Sequence, residues 1–188
     1  MKHFYLILFL FSSAILFNSC GDDAIINPDG TCGSFTFAAT NGSISVSGNG
    51  DGQAAINEAT VDGVQQNRLS LALISDDGFT INVAVDENSP SDPNCLEERL
   101  YSNQNPICEN SLSGGQVCEK VSIVLTGPQG GIGTTIGTGR AELTITECKE
   151  FSEGTAISGT FTGDFTSTDT AVADFTANGT FTDICILF

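Results

Sequence analysis

The sequence predicts an all-β domain, an antiparallel β-sandwich or a closed up-and-down β-barrel of about seven to nine strands, stapled by disulfides. Three observations predict it. Apolar residues recur with period two from Ser34 onward, the spacing of a strand with one buried face. Thr, Val, Ile and Phe dominate those runs, as a pleated half-buried surface prefers. Six cysteines lie beyond Cys20, an even number that reads as a disulfide framework in an exported chain.

Each element follows from its own residues. Residues 22–30 lack apolar periodicity and contain Pro28 and Gly30, so they read as a short tether. Gln53–Glu58 and Leu96–Tyr101 are the places where a single helical turn is expected. Leu69, Leu71 and Leu73 alternate with Arg68, Ser70 and Ala72, and Phe79, Ile81, Val83 and Val85 alternate with Thr80, Asn82, Ala84 and Asp86. Asp76-Asp77-Gly78 between them supplies the turn of a β-hairpin. Residues 89–115 form a long polar loop holding Cys95, Pro106 and Cys108, the part of a compact domain where a site most often sits. Val121, Ile123 and Leu125 make a further inward face, as do Leu143 and Ile145. Residues 127–139 are glycine-rich without dinucleotide spacing or a following lysine, which favours a hairpin loop over a phosphate cradle. Phe161 and Phe165 point inward while Thr160, Thr162, Asp164 and Thr166 point out, and Phe175, Phe181 and residues 184–188 close the domain. The string Gly-Thr-Phe-Thr occurs at 159–162 and 179–182, with Gly-Ser-Phe-Thr at 33–36, at intervals too irregular for a repeat array.

The first twenty residues carry an address. Lys2 and His3 precede an apolar run from Phe4 to Phe11 that resumes from Ala14 to Phe17, and Asn18-Ser19-Cys20-Gly21 closes it. A cationic start, a short apolar core and small residues at its end describe a secretory signal peptide. The cysteine after Ser19 resembles the lipobox of bacterial lipoproteins, which implies cleavage before Cys20 and a lipid on its thiol. Phe17 and Asn18 depart from the usual Leu and small residue of that motif. The expected organisation is a leader over 1–19, a lipidated Cys20 and tether over 20–31, and one β domain over 32–188.

Cleavage there restricts the chemistry. His3 is the single histidine and the chain has no tryptophan. Without an imidazole there is no Ser-His-Asp triad, no Cys-His pair and no His-ligated zinc. Losing Lys2 leaves five basic against 23 acidic residues, a net charge of −18 where the full chain has −17. Such a surface repels phosphate backbones and makes nucleic acid a poor partner.

The cysteines Cys32, Cys95, Cys108, Cys118, Cys148 and Cys185 allow 15 pairings, and no CxxC marks a redox or zinc site. Strict alternation places Cys118 and Cys148 opposite the apolar residues of their strands, so a Cys118–Cys148 bridge is expected. Cys95–Cys108 then pins the long loop, and Cys32–Cys185 joins the first strand to the last.

Ala59-Thr60-Val61-Asp62-Gly63, Ser158-Gly159-Thr160-Phe161 and Ala177-Asn178-Gly179-Thr180-Phe181 together resemble the strand motifs of a group of uncharacterised bacterial β-sheet lipoproteins. The match spans residues 59–181 and rests on short strings. It implies fold and anchoring, and no activity.

Two candidate sites remain. Ser47, Asn49, Asp51 and Glu58 fall at positions one, three, five and twelve of a calcium loop of EF-hand spacing, with Gly52 at six. Ser47 stands where an acid belongs, and a Gly/Asn-rich β-turn is the competing reading. Glu97 with Glu98, or Glu147, Glu150 and Glu153, supply carboxylates for glycoside hydrolysis, though the chain lacks the aromatic platforms of sugar sites. The expected function is that of a monomeric, non-catalytic module without a cofactor, tethered to the bacterial outer membrane and facing the periplasm or the cell exterior. The alternative is a barrel-type carrier of a small apolar ligand, and a carboxylate glycosidase stands behind both.

Overall fold

Period-two patterning becomes strands throughout the computed structural model, which describes residues 32–41, 44–128, 130–135, 139–151, 154–167 and 174–187. The leader, Cys20 and the tether lie outside the described residues. Twelve strands are described, more than the seven to nine expected. They are β1 (Cys32–Asn41), β2 (Ile44–Val61), β3 (Val64–Ser75), β4 (Thr80–Asn88), β5 (Leu100–Ser102), β6 (Cys108–Asn110), β7 (Gln116–Cys118), β8 (Lys120–Gly127), β9 (Gly130–Thr134), β10 (Ala141–Phe151), β11 (Gly154–Ser167) and β12 (Phe175–Leu187). The excess comes mostly from the three-residue strands β5, β6 and β7, too short to announce themselves by alternation.

The pairings close on themselves. β1 pairs with β2, β2 with β3, β3 with β4, and β4 with β8. β8 then pairs with β9, β9 with β11, β11 with β12, and β12 with β1. This circuit is a β-barrel and not two separate sheets. β10 lies against β11 and carries β5 on its other side, while β6 and β7 form a hairpin of their own. Closure rests on the pairs Thr134–Thr166 and Gly133–Ser167 between β9 and β11, and β5 covers Glu142, Leu143 and Thr144 of the outer edge of β10.

Alternation fills the interior. Phe35, Leu69, Leu71, Leu73, Ile81, Ile123, Leu125, Phe161, Phe165 and Phe181 are all buried and belong to one continuous core. The repeated Gly-Phe strings explain part of its packing. Phe161 stands opposite Gly179, and Phe181 opposite Gly159, across the β11–β12 ladder. A β-carbon on Gly179 would lie 2.4 Å from the Phe161 ring. Each phenylalanine therefore lies over the bare backbone of the other strand's glycine, the arrangement by which an aromatic ring compensates a glycine in a sheet. Phe35 of the third copy faces Phe181 in register, and the Thr36 and Thr180 hydroxyls meet at 3.1 Å outside.

Neither expected helical turn forms. Gln53–Glu58 is strand and not a helical turn, and Leu96–Tyr101 is a loop running into β5. The glycines at the start of β2 serve close approach: a β-carbon on Gly50 would meet the Ile74 carbonyl oxygen at 2.1 Å. Residues 127–139, expected as loop, contain β9.

β-Bulges invert the alternation near one end of the barrel. The registers shift between Cys32 and Phe35 in β1, between Ile145 and Glu147 in β10, and between β11 and β12 beside Ile157. Gly33 takes the left-handed φ of 71° that the first of these needs, and Asp183 takes 53° at the last. Beyond the extra residue in β10, Cys148 turns toward the core. That is why the expected Cys118–Cys148 and Cys95–Cys108 bridges do not form. The bridges are Cys95–Cys148, Cys108–Cys118 and the expected Cys32–Cys185. Cys108 and Cys118 face one another in the β6–β7 hairpin, and Cys95–Cys148 clips the long loop to β10.

Candidate functional site

The bulged end of the barrel is closed by polar residues, and their placement follows from the strand period. Extending Leu73, Leu71, Leu69 by one inward step reaches Asn67. The run Ile81, Val83, Val85 reaches Glu87, and Leu125, Ile123, Val121 reaches Glu119. All three are buried although none is apolar. A buried polar group must find partners. The long loop of residues 89–119 supplies most of them.

Asn67 donates from Nδ2 to the Asp92 carbonyl at 2.6 Å and to the Cys95 carbonyl at 3.1 Å. Glu87 Oε1 accepts from the Tyr101 hydroxyl at 2.5 Å and from Glu97 N at 2.9 Å. Glu119 holds Arg99 in a two-pronged pair, Nη1 to Oε2 at 3.1 Å and Nη2 to Oε1 at 2.5 Å. Glu119 Oε1 also accepts from Asn88 N at 3.1 Å. The Arg99 guanidinium lies 4.0 Å above the Tyr101 ring centre, a cation–π contact, and Glu97 takes its Nε at 3.3 Å. On the outer side of the same strands, Asn88 accepts from Gln66 Nε2 at 2.8 Å and donates to the Val117 carbonyl at 2.8 Å. The cluster thus hangs the loop on the barrel from both faces.

Burial sets its electrostatics. Desolvation pushes the Glu87 carboxyl above the usual glutamate range, against the lowering effect of its Tyr101 and Glu97 hydrogen bonds and of the Arg99 charge. Desolvation and the Glu87 hydrogen bond together raise the Tyr101 hydroxyl, which stays protonated. Burial pulls Arg99 down, but its bond to Glu119 and the surrounding negative charge more than offset this.

Beside the cluster, Glu58, Thr60, Gln65 and Asn67 on the projecting β2–β3 hairpin and Pro90 and Pro93 on the loop border an open groove of about 330 Å³. A second open groove of about 400 Å³ lies along the outward side of β2, β3, β4 and β8, with Ala55, Ala72, Ala84 and Val124 among its lining.

The expected calcium residues are not brought together. Ser47, Asn49, Asp51 and Glu58 lie along the single strand β2, where Ser47 pairs with Ala38 and Glu58 with Asn67. At about 3.3 Å per residue, Ser47 and Glu58 are roughly 35 Å apart, so no single ion can meet both. Asn49 instead bonds the Asp76 carboxylate at 2.8 Å. Among the described residues, no group of three or more acidic, cysteine or histidine side chains is placed to hold a metal ion. Calcium should therefore leave the melting temperature where a chelator leaves it, with Asp51→Ala indistinguishable from wild type in a calcium titration by calorimetry. A micromolar affinity lost in that variant would overturn the strand-based argument.

The carboxylates considered for glycoside hydrolysis are dispersed in their contacts. Glu147 is paired with Lys149 at 2.7 Å, Glu98 accepts from Cys148 N at 3.4 Å, and Glu97 belongs to Arg99. Glu153 lies outside the described residues. The buried cluster itself was missed because single acids at strand ends resemble solvated ones. The readable signal was the inward period carried one step past each apolar run.

No protein-family model matches the chain, and neither does any curated protein or any solved structure.

Proposed function

We propose that the chain is an exported protein held at the bacterial outer membrane by a lipid on Cys20, with residues 32–188 acting as a non-catalytic β module in a structural or binding role. The observation that carries this reading is the filled interior. Inward positions hold packed aromatic and aliphatic side chains, and the bulged end is stoppered by hydrogen-bonded polar groups. A carrier of apolar ligands asks for a lined chamber at those same positions. Three disulfides agree with an oxidising compartment such as the periplasm or cell exterior. The buried Glu87 carboxyl, Tyr101 phenol and Arg99 guanidinium are hydrogen-bonded to neighbouring side chains, which supports the non-catalytic reading. Monomeric behaviour agrees with the closed circuit of strands, and the net charge of −17 disfavours nucleic acid as a partner.

The anchor is directly testable. Wild-type protein should partition with membranes and yield an amino-terminal peptide whose Cys20 carries acyl chains, each buried methylene contributing about 0.8 kcal/mol. Cys20→Ser should appear in the soluble fraction or retain its leader. Wild-type protein found soluble with an unmodified Cys20 overturns the anchoring.

A further inference from the structure

Two buried oxygens in the stoppered end have no hydrogen-bond partner: Asn67 Oδ1 and Glu87 Oε2. They belong to residues directly opposed across the β3–β4 ladder, both on the inward face. Opposed side chains on one face start from β-carbons about 5 Å apart, within each other's reach. The amide cannot be turned to solve the problem, because Asn67 Nδ2 already serves the Asp92 and Cys95 carbonyls. Two buried acceptors without a donor are costly out of water, and one proton shared between them would satisfy both.

We propose that Glu87 is held as a carboxylic acid whose Oε2–H donates to Asn67 Oδ1, and that this proton latches the 92–97 segment over the barrel end. The proton comes from solvent, and no other group changes state. Charge counting supports the neutral form. Arg99 faces Glu87 at 3.9 Å but is already neutralised by its paired bonds to Glu119, and Glu97 adds a further acid on its Nε. Tyr101 faces Glu87 as a neutral donor. An ionised Glu87 would thus raise the uncompensated negative charge of the cluster from one to two. The latch acts on the segment through bonds already present: Asn67 holds Asp92 and Cys95, and Glu87 holds Glu97 N. Pro90 and Pro93, which wall the 330 Å³ groove, flank its first residue, so loss of the proton would loosen that wall. The inference is independent of lipid anchoring.

The sign is fixed. A carboxyl whose folded-state affinity for protons exceeds its unfolded one contributes stability that is complete below the ordinary glutamate value of about 4.3, and that is lost as pH rises through the folded-state value. Glu87→Gln is the neutral mimic, with an amide N–H in place of the acid O–H. Its melting temperature should lose the wild type's decline over that window. Exchange of the Glu97 amide, normalised to a core amide of β3, should rise about tenfold or more with pH in wild type and stay flat in the variant. Infrared difference spectra of wild type should show a protonated carboxyl band above the ordinary glutamate range. That band should shift on 13C-glutamate labelling and be absent in Glu87→Gln. If the variant fails to fold, the labelled band in wild type still decides. Absence of that band means an ionised Glu87, bridged to Asn67 by water or otherwise, and overturns the proposal.

Discussion

Removing the Cys32–Cys185 bridge with a Cys32→Ala/Cys185→Ala double variant should cost about 5 kcal/mol in urea unfolding, the largest loss among the three bridges. The cross-link spans 153 residues, and loop-closure entropy in the unfolded chain grows with the logarithm of that span. By the same relation Cys95–Cys148, spanning 53 residues, should contribute about 4 kcal/mol, and Cys108–Cys118, spanning 10, about 3 kcal/mol. The first bridge also has a structural reason to dominate. It joins β1 to β12 where the β1 bulge interrupts the pairing with β2, so the free end of β1 would otherwise fray from the barrel. Cys32 is wholly buried, so its removal leaves unfilled space as well. Both cysteines are replaced together so that no free thiol reshuffles. The check is the ranking: a loss below that of the Cys108–Cys118 variant would show that the seam is held by its strand pairing alone.

What was legible in the sequence depended on whether the strand period ran unbroken. Leu69 to Leu73 and Phe79 to Val85 alternate without interruption, and both the hairpin and its inward face are as expected. The same holds for Phe161 and Phe165. Cys148 was misplaced because a single extra residue in β10 reverses the side on which every later side chain falls, and a bulge at Thr146 leaves no compositional mark. The Gly-Asn-Gly-Asp-Gly stretch of β2 looked like a turn because glycine spacing in a closely packed strand and in a calcium loop is alike. Only the neighbouring Ile74 backbone separates the two. The stopper of the barrel was harder still. Asn67 lies on β3, Glu87 on β4, Glu119 just before β8, Arg99 just before β5 and Tyr101 on β5, so no local window contains the cluster. Its members were nonetheless specified by the rule that identified the core, since each strand residue occupies the next inward position.

Phe161→Ala should destabilise the domain by about 3–5 kcal/mol, a large share of the roughly 5–15 kcal/mol that holds a domain of this size folded. The ring is 1% exposed and fills the space that Gly179 leaves by having no side chain. Its loss removes apolar burial and opens a void that the glycine backbone cannot close. Nor can the cavity be refilled from across the ladder. A β-carbon on Gly179 would lie 2.5 Å from the Thr36 carbonyl oxygen of β1, a backbone atom fixed by its own pairing with β12. Gly179→Ala should therefore fail to rescue Phe161→Ala and should worsen it. Phe161→Leu, which keeps most of the volume, should cost about 1–2 kcal/mol. Phe181→Ala faces the equivalent glycine, Gly159, from the opposite strand and should fall in the range of Phe161→Ala. Urea unfolding of the four variants gives the order directly. A loss under about 1 kcal/mol for Phe161→Ala, or rescue by the added methyl at Gly179, would mean that the paired Gly-Phe strings are not what packs β11 against β12.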